Sequence, residues 1–193
     1  MNKIWLNKLA LDIEKKHGKE ARDKIFGDMD SVTSSHTSRS AWFNNFITGM
    51  DELDDKDFLQ KMMTEHCPCG SDASRTKLGK KYKKIYDKSE SLDEFVASID
   101  FGDAKELCGN VLYLTKYPRD HKVKGSCGGG CHCSLAKHTE KYISDIFCYC
   151  CTVGHTGIPF KKAFGDDIKI EFIDSVIMGG KGCTMAIHLP PKA

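Results

Sequence analysis

The chain has 193 residues, enough for one domain to bury a core without disulfide staples. Its 29 basic and 27 acidic side chains leave a net charge of +2, so charge gives no footprint for nucleic acid. No stretch is apolar enough to span a membrane, and the first residues run into Asp12, Glu14, Lys15 and Lys16 with none of the apolar core of a secretory leader. The expected compartment is therefore the cytoplasm, where thiols stay reduced and clustered cysteines signal metal or catalysis before disulfides.

Trp5, Leu9 and Ile13 recur at helical spacing, with Leu6, Ala21, Ile25 and Phe26 on the same side and Gly27 as a stop. The polar run Ser31 to Ser40 reads as a loop. Phe43, Phe46, Ile47 and Met50 form a second helical stripe. After the acidic break Asp51 to Asp57, a third stripe of Phe58, Leu59, Met62 and Met63 delivers His66 beside Cys67 and Cys69. Leu78, Tyr82, Ile85 and Tyr86 predict another helix, on which Lys77, Lys80, Lys81, Lys83 and Lys84 form a solvated face. Ser91-Leu92-Asp93-Glu94 is a capping box opening a short helix through Ile99.

The character changes at Gly109. Val111 to Tyr117 reads as a strand ended by Pro118. Ser134 is placed as the N-cap of a helix running to Tyr149, and Pro159 opens a short helix ending near Gly165. Ile168, Ile170 and Phe172 alternate into a glycine-rich turn, from which Cys183, Met185, Ile187 and Leu189 return as the second strand of a hairpin. The expected architecture is α+β, N-terminal helices packed on an antiparallel sheet that ends in a C-terminal hairpin. One domain spans residues 1–193, with 1–104 mainly helical and 105–193 the cysteine-rich α+β part.

Nine of the ten cysteines fall into four tight groups: Cys67 and Cys69; Cys127, Cys131 and Cys133; Cys148, Cys150 and Cys151; and Cys183. Only Cys108 stands apart. A helix unbroken between Cys133 and Cys148 would hold them roughly 22 Å apart at about 1.5 Å per residue. Zinc–sulfur bonds are about 2.3 Å, so these two groups would then belong to separate centres. The first centre gathers Cys127, Cys131, His132 and Cys133 in a glycine-rich loop, with His66, Cys67 and Cys69 as partners from the helical half. The second draws on Cys148, Cys150 and Cys151 with Glu171 and Cys183 from the hairpin. Each has a plainer alternative. Cys183 is in phase with buried hairpin residues, and Glu171 suits a solvated strand face.

Metal ligation ranks first because several sulfurs can fold to one point in a glycine-rich loop whose backbone N–H groups offset their charge. A nucleophile ranks second: Cys133 precedes an N-cap, where the helix dipole favours a thiolate, and His132 or His138 would serve as its base. Free thiols in a mobile glycine loop rank a close third, and an iron–sulfur cluster is a further alternative function, since four sulfurs are available near either centre.

From Phe147-Cys148-Tyr149-Cys150 through Gly154, Phe164-Gly165, Ile170-Glu171, Ser175-Val176-Ile177 and Gly180-Lys181-Gly182-Cys183-Thr184-Met185-Ala186-Ile187, the C-terminal third resembles a known group. It is similar to the vinyl-4-reductase-type ligand-binding domains, to the L-2-amino-thiazoline-4-carboxylate hydrolase-like proteins, and to bacterial proteins with the same cysteine-rich ending. The resemblance implies an α+β fold and a zinc ion held through Cys148 or Cys150, Glu171 and Cys183. The third ligand of that set has no direct match, leaving Asp174 or a sulfur of the Cys150-Cys151 pair to fill it. It also implies a small-molecule ligand, or alternatively hydrolysis of a small sulfur- or nitrogen-containing ring by a cysteine or a metal-bound water. The expectation is a zinc-binding domain with a small-molecule ligand or substrate and neither nucleic acid nor membrane as partner; a homodimer is one assembly open to it.

Overall fold

The computed structural model describes residues 3–28, 36–66, 72–117 and 145–192. Helix α1 (Lys3–Phe26) buries Trp5, Leu6, Leu9 and Ile13 and is interrupted at Gly18, whose φ of 88° breaks the helical path. Helix α2 (His36–Asp51) packs Phe43, Phe46, Ile47 and Met50 against it. The Trp42 indole N–H donates to Phe26 O at 2.8 Å, satisfying a carbonyl that the end of α1 leaves without a partner. The sequence expectation of a loop to Ser40 is corrected here, because the backbone is already helical from His36. Helical continuation from the apolar stripe overrides the weak local preference of serine and threonine for turns.

Helix α3 (Lys56–Glu65) starts at Asp55, whose carboxylate accepts from Phe58 N, and buries Leu59, Met62 and Met63. Helix α4 (Asp72–Lys88) turns Tyr82 and Tyr86 inward and leaves all five lysines of the predicted solvated face exposed. Helix α5 (Leu92–Ser98) has the expected cap: Ser91 Oγ accepts from Glu94 N, and the Glu94 carboxylate reaches back to Glu90 N.

Strands β1 (Ala104–Cys108), β2 (Val111–Lys116), β3 (Ile170–Asp174) and β4 (Cys183–His188) form one antiparallel sheet in the order β1-β2-β4-β3. The fold is α+β. Strand β1 is a correction, since the sequence reading began the sheet at Val111. It is a polar edge strand without an apolar alternation to reveal it, and it turns into β2 through Gly109, at φ 61°.

Helix α6 (Asp145–Tyr149) does not stop at its cysteines as expected. It widens into a π-helix (Cys150–Thr156) and then continues as α7 (Ile158–Phe164). The N-terminal part of the predicted Ser134 helix lies outside the described residues. Val176–Met178 forms a single 3₁₀ turn between β3 and β4.

Two hydrophobic cores result. Helices α1, α2, α3 and α6 enclose Leu9, Ile13, Phe43, Phe46, Met63 and Phe147. Helices α4, α5 and α7 cover the sheet over Tyr82, Phe95, Leu112, Phe160, Met185 and Ile187. The division thus cuts across residue 104: α4 and α5 belong with the sheet, and α6 belongs with the N-terminal helices. Among the described residues, no helix is long and apolar enough to cross a membrane.

Candidate metal centre around the π-helix

The π-helix lies where the two cores meet, and its side of the boundary is polar. Gly157 N bonds to Thr152 O, the five-residue step that defines this winding. Thr152 Oγ1 donates to Cys148 O at 2.8 Å, and Thr156 Oγ1 to Cys151 O at 3.1 Å, so two threonines one turn apart absorb carbonyls along the widened segment. Gly154 is required here. A Cβ on it would sit 2.7 Å from Thr64 O, so only hydrogen lets the C-terminal end of α3 press against the π-helix.

Cys148 is buried and its Sγ donates to Ser175 Oγ at 3.2 Å. Ser175 is itself fully buried, accepts from Met178 N to cap the 3₁₀ turn, and receives the carboxylate of Asp174 on its own N–H. Cys183 is half-buried at the start of β4, in register with Lys116 at the end of β2. Alternation places both on the face that carries Met185 and Leu114, toward the helices. Lys116 Nζ donates to Thr156 Oγ1 at 3.0 Å, tying that end of the sheet to the last turn of the π-helix. It also stands over the Phe101 ring.

The other predicted residues separate. Cys150 is 2 % exposed and packs in the helical core, where a small apolar residue fits the surroundings. Cys151 is half-buried against the same core. Glu171 is in register with Ala186, which puts it on the opposite face of the sheet from Cys183. There Lys169 Nζ donates to it at 2.9 Å and His188 Nε2 approaches at 2.5 Å, and these bonds hold its carboxyl below the usual range. Glu171 therefore does not join Cys148, Cys151 and Cys183, contrary to the expectation for the hairpin. Among the described residues, no group of three or more histidine, cysteine or acidic side chains is placed to hold a metal ion.

Cys67, Cys69, Cys127, Cys131 and Cys133, with His132 and His138, lie outside the described residues. Their points of attachment are described. His66, one residue before Cys67, pairs with Asp12 of α1 at 2.5 Å. Thr64, three residues before Cys67, is the residue against Gly154. The segment bearing Cys127, Cys131 and Cys133 lies between Tyr117, just past the end of β2, and Asp145, the first residue of α6, whose carboxylate accepts from Lys56 Nζ at 3.1 Å.

Lys116, Thr152, Thr156 and Ser175 had no role in the sequence reading. The signal for Thr152 was present, because it lies four residues after Cys148, the step at which a hydroxyl reaches back to a carbonyl; Thr156 reaches five back, a step that only the π-winding supplies. Lys116 and Ser175 are brought in only by strand register and by the 3₁₀ turn.

What the fold and the site define is a small α+β protein in which Cys148, Cys150 and Cys151 lie at the entry to one π-helix. A model of a family of unknown function, DUF6144, matches residues 1–192, and the chain belongs to that family. No curated protein and no solved structure matches it.

Proposed function

We propose that this chain is a cytoplasmic cysteine-rich domain that holds zinc through thiolates and takes a small organic molecule as ligand, the metal being structural. One observation supports the metal half: Cys148, Cys150 and Cys151 lie at the π-helix, and described residues near the other groups touch it. Thr64, three residues before Cys67, abuts Gly154; Cys148 and Cys151 lie on and beside the winding; and Lys116, which bonds Thr156, is paired with Cys183. A thiolate-rich sphere of the structural kind would draw its ligands from these groups, which are far apart in sequence. The resemblance of the C-terminal third to zinc-containing ligand-binding domains supports Cys148 and Cys183 in that role. Lys116 has the charge to offset that of such a sphere.

Elemental analysis of protein purified without chelators, paired with a count of reactive thiols, tests this reading. We expect at least one zinc per chain with protected thiols, lost in Cys183→Ser and in Cys148→Ser and kept in Cys108→Ser, since Cys108 is exposed on the edge strand. A brown anaerobic preparation would replace zinc with an iron–sulfur cluster. Metal-free protein in which one thiol reacts fast and stoichiometrically would instead favour the hydrolase reading, with Cys133 as nucleophile.

A further inference from the structure

A groove of about 320 Å³ runs between α1 and α3. Its floor is apolar, made by Phe58 and by Met62, which is 1 % exposed. Lys15, Lys16 and Lys61 line it, together with the carboxylates of Asp12 and Glu65. Those carboxylates are spoken for unequally. Asp12 is bound by His66 at 2.5 Å, while Glu65 stands 4.0 Å from Lys61 with both side chains more than half exposed, an arrangement that holds Lys61 only loosely. Lys16 is likewise 4.0 Å from Asp55. Lys15 makes no ion pair among the described residues. The groove therefore presents three ammonium groups over an apolar floor, and its positive charge exceeds what its own acids neutralise.

The two helices are braced at both ends of this groove. Asp12 of α1 meets His66 at the C-terminal end of α3, and His17 of α1 stands 3.1 Å from the Asp55 cap at its N-terminal end, with the His17 ring edge-on to Phe58. A cleft held open between two such braces is formed before any ligand arrives, which lowers the ordering cost of binding. Its volume lies at the lower end of the range for small-molecule sites, about 300–1,000 Å³.

We infer that the α1–α3 groove is a binding site for a small organic molecule carrying one anionic group on an apolar body, the anion held by Lys15 and Lys61 and the body lying on Phe58 and Met62. This rests on the small-molecule half of the function proposed above; among the described residues, no cysteine lines the groove. A purely apolar ligand would leave the ammonium groups idle. A dianion would meet Asp12 and Glu65 as well as the lysines, so a single charge suits the balance.

The test is fluorescence titration of the full chain with 8-anilinonaphthalene-1-sulfonate and with its neutral counterpart N-phenyl-1-naphthylamine, zinc content being measured on every sample. The sulfonate is expected to bind at one site, about tenfold tighter than the neutral amine, and to weaken with added salt. Lys15→Glu combined with Lys61→Glu is expected to lose at least about tenfold in affinity, whereas Lys80→Glu with Lys84→Glu on α4 loses none. The methyl resonance of Met62, assigned through Met62→Leu, is expected to shift on saturation. Should the double variant fail to fold by circular dichroism, Lys15→Gln at its exposed position supplies the same comparison. Equal affinity for both probes, an unchanged charge-reversal variant, or an unmoved Met62 methyl would each overturn the proposal. Zinc content reads the metal assignment separately, so either half can fail alone.

Discussion

Tyr82 is fully buried among Phe101 and Phe160, and among the described residues its hydroxyl has no hydrogen-bond partner. Burial, and then the negative charge of Asp100, pushes the phenol far above its ordinary range, so the group stays neutral. An unmade buried hydrogen bond costs about 1–3 kcal/mol. Tyr82→Phe should thus leave stability unchanged or raise it by about 1 kcal/mol, read as a higher denaturant midpoint at constant slope. A loss of more than that would show that the hydroxyl is satisfied in solution. At Glu171 the sign runs the other way. Its carboxyl is held low first by the bond from Lys169 and next by that from His188, so its contribution to stability is present above the ordinary carboxylate range and is lost as pH falls through the lowered value. In Lys169→Met, the Glu171 side chain followed by NMR should titrate at higher pH; an unmoved midpoint would show that this bond does not form.

At the scale of the element, glycine decides which helices can meet. A Cβ on Gly154 would fall against Thr64 O, a backbone atom with little room to yield, and overpacking of this kind typically costs about 1–3 kcal/mol. For a chain of this size Gly154→Ala should lower Tm by roughly 2–4 °C for each kcal/mol lost. It should also lower zinc content if the Thr64 contact is what brings Cys67 and Cys69 to the π-helix. Normal zinc in a destabilised Gly154→Ala protein would separate packing from metal binding.

The same scale explains what could be read from the chain. Helices α1 to α5 were legible because Trp5, Leu9 and Ile13, or Leu78, Tyr82 and Tyr86, repeat at the period of a buried helical face. The hairpin of β3 and β4 was legible from alternation. Strand β1 was not, because Lys105 and Glu106 on an exposed edge carry no such pattern. The π-helix was not legible either, because its register depends on α3 pressing against Gly154, a contact between residues 90 positions apart. For the candidate site, the cysteines were visible, but the contacts of Thr64 and Lys116 with the π-helix were not. The hairpin and the resemblance offered Glu171 as a ligand beside the alternative of a solvated strand face, and its pairing with Ala186 puts it on the face opposite Cys183.

The described residues form two apolar cores divided by a polar boundary of Thr152, Thr156, Ser175 and Lys116, and neither core is contiguous in sequence. The helical core is completed by Ile146, Phe147 and Cys150, and the sheet core by Phe160, Met185, Ile187 and Leu189. During synthesis, α1, α2 and α3 emerge long before the wedge that fills the space between them. Likewise Tyr82, Tyr86 and Phe95 are made before the strand and helix that cover them. A fragment of residues 1–104 should therefore be helical by far-ultraviolet circular dichroism yet lack fixed aromatic signals and a cooperative melt. A sharp transition in that fragment would show that the N-terminal helices close without α6. In the cell, this interleaving makes the last quarter of the chain the step that commits both cores, so a ribosome stalled before Phe147 would expose the apolar faces of both at once to chaperones and proteases.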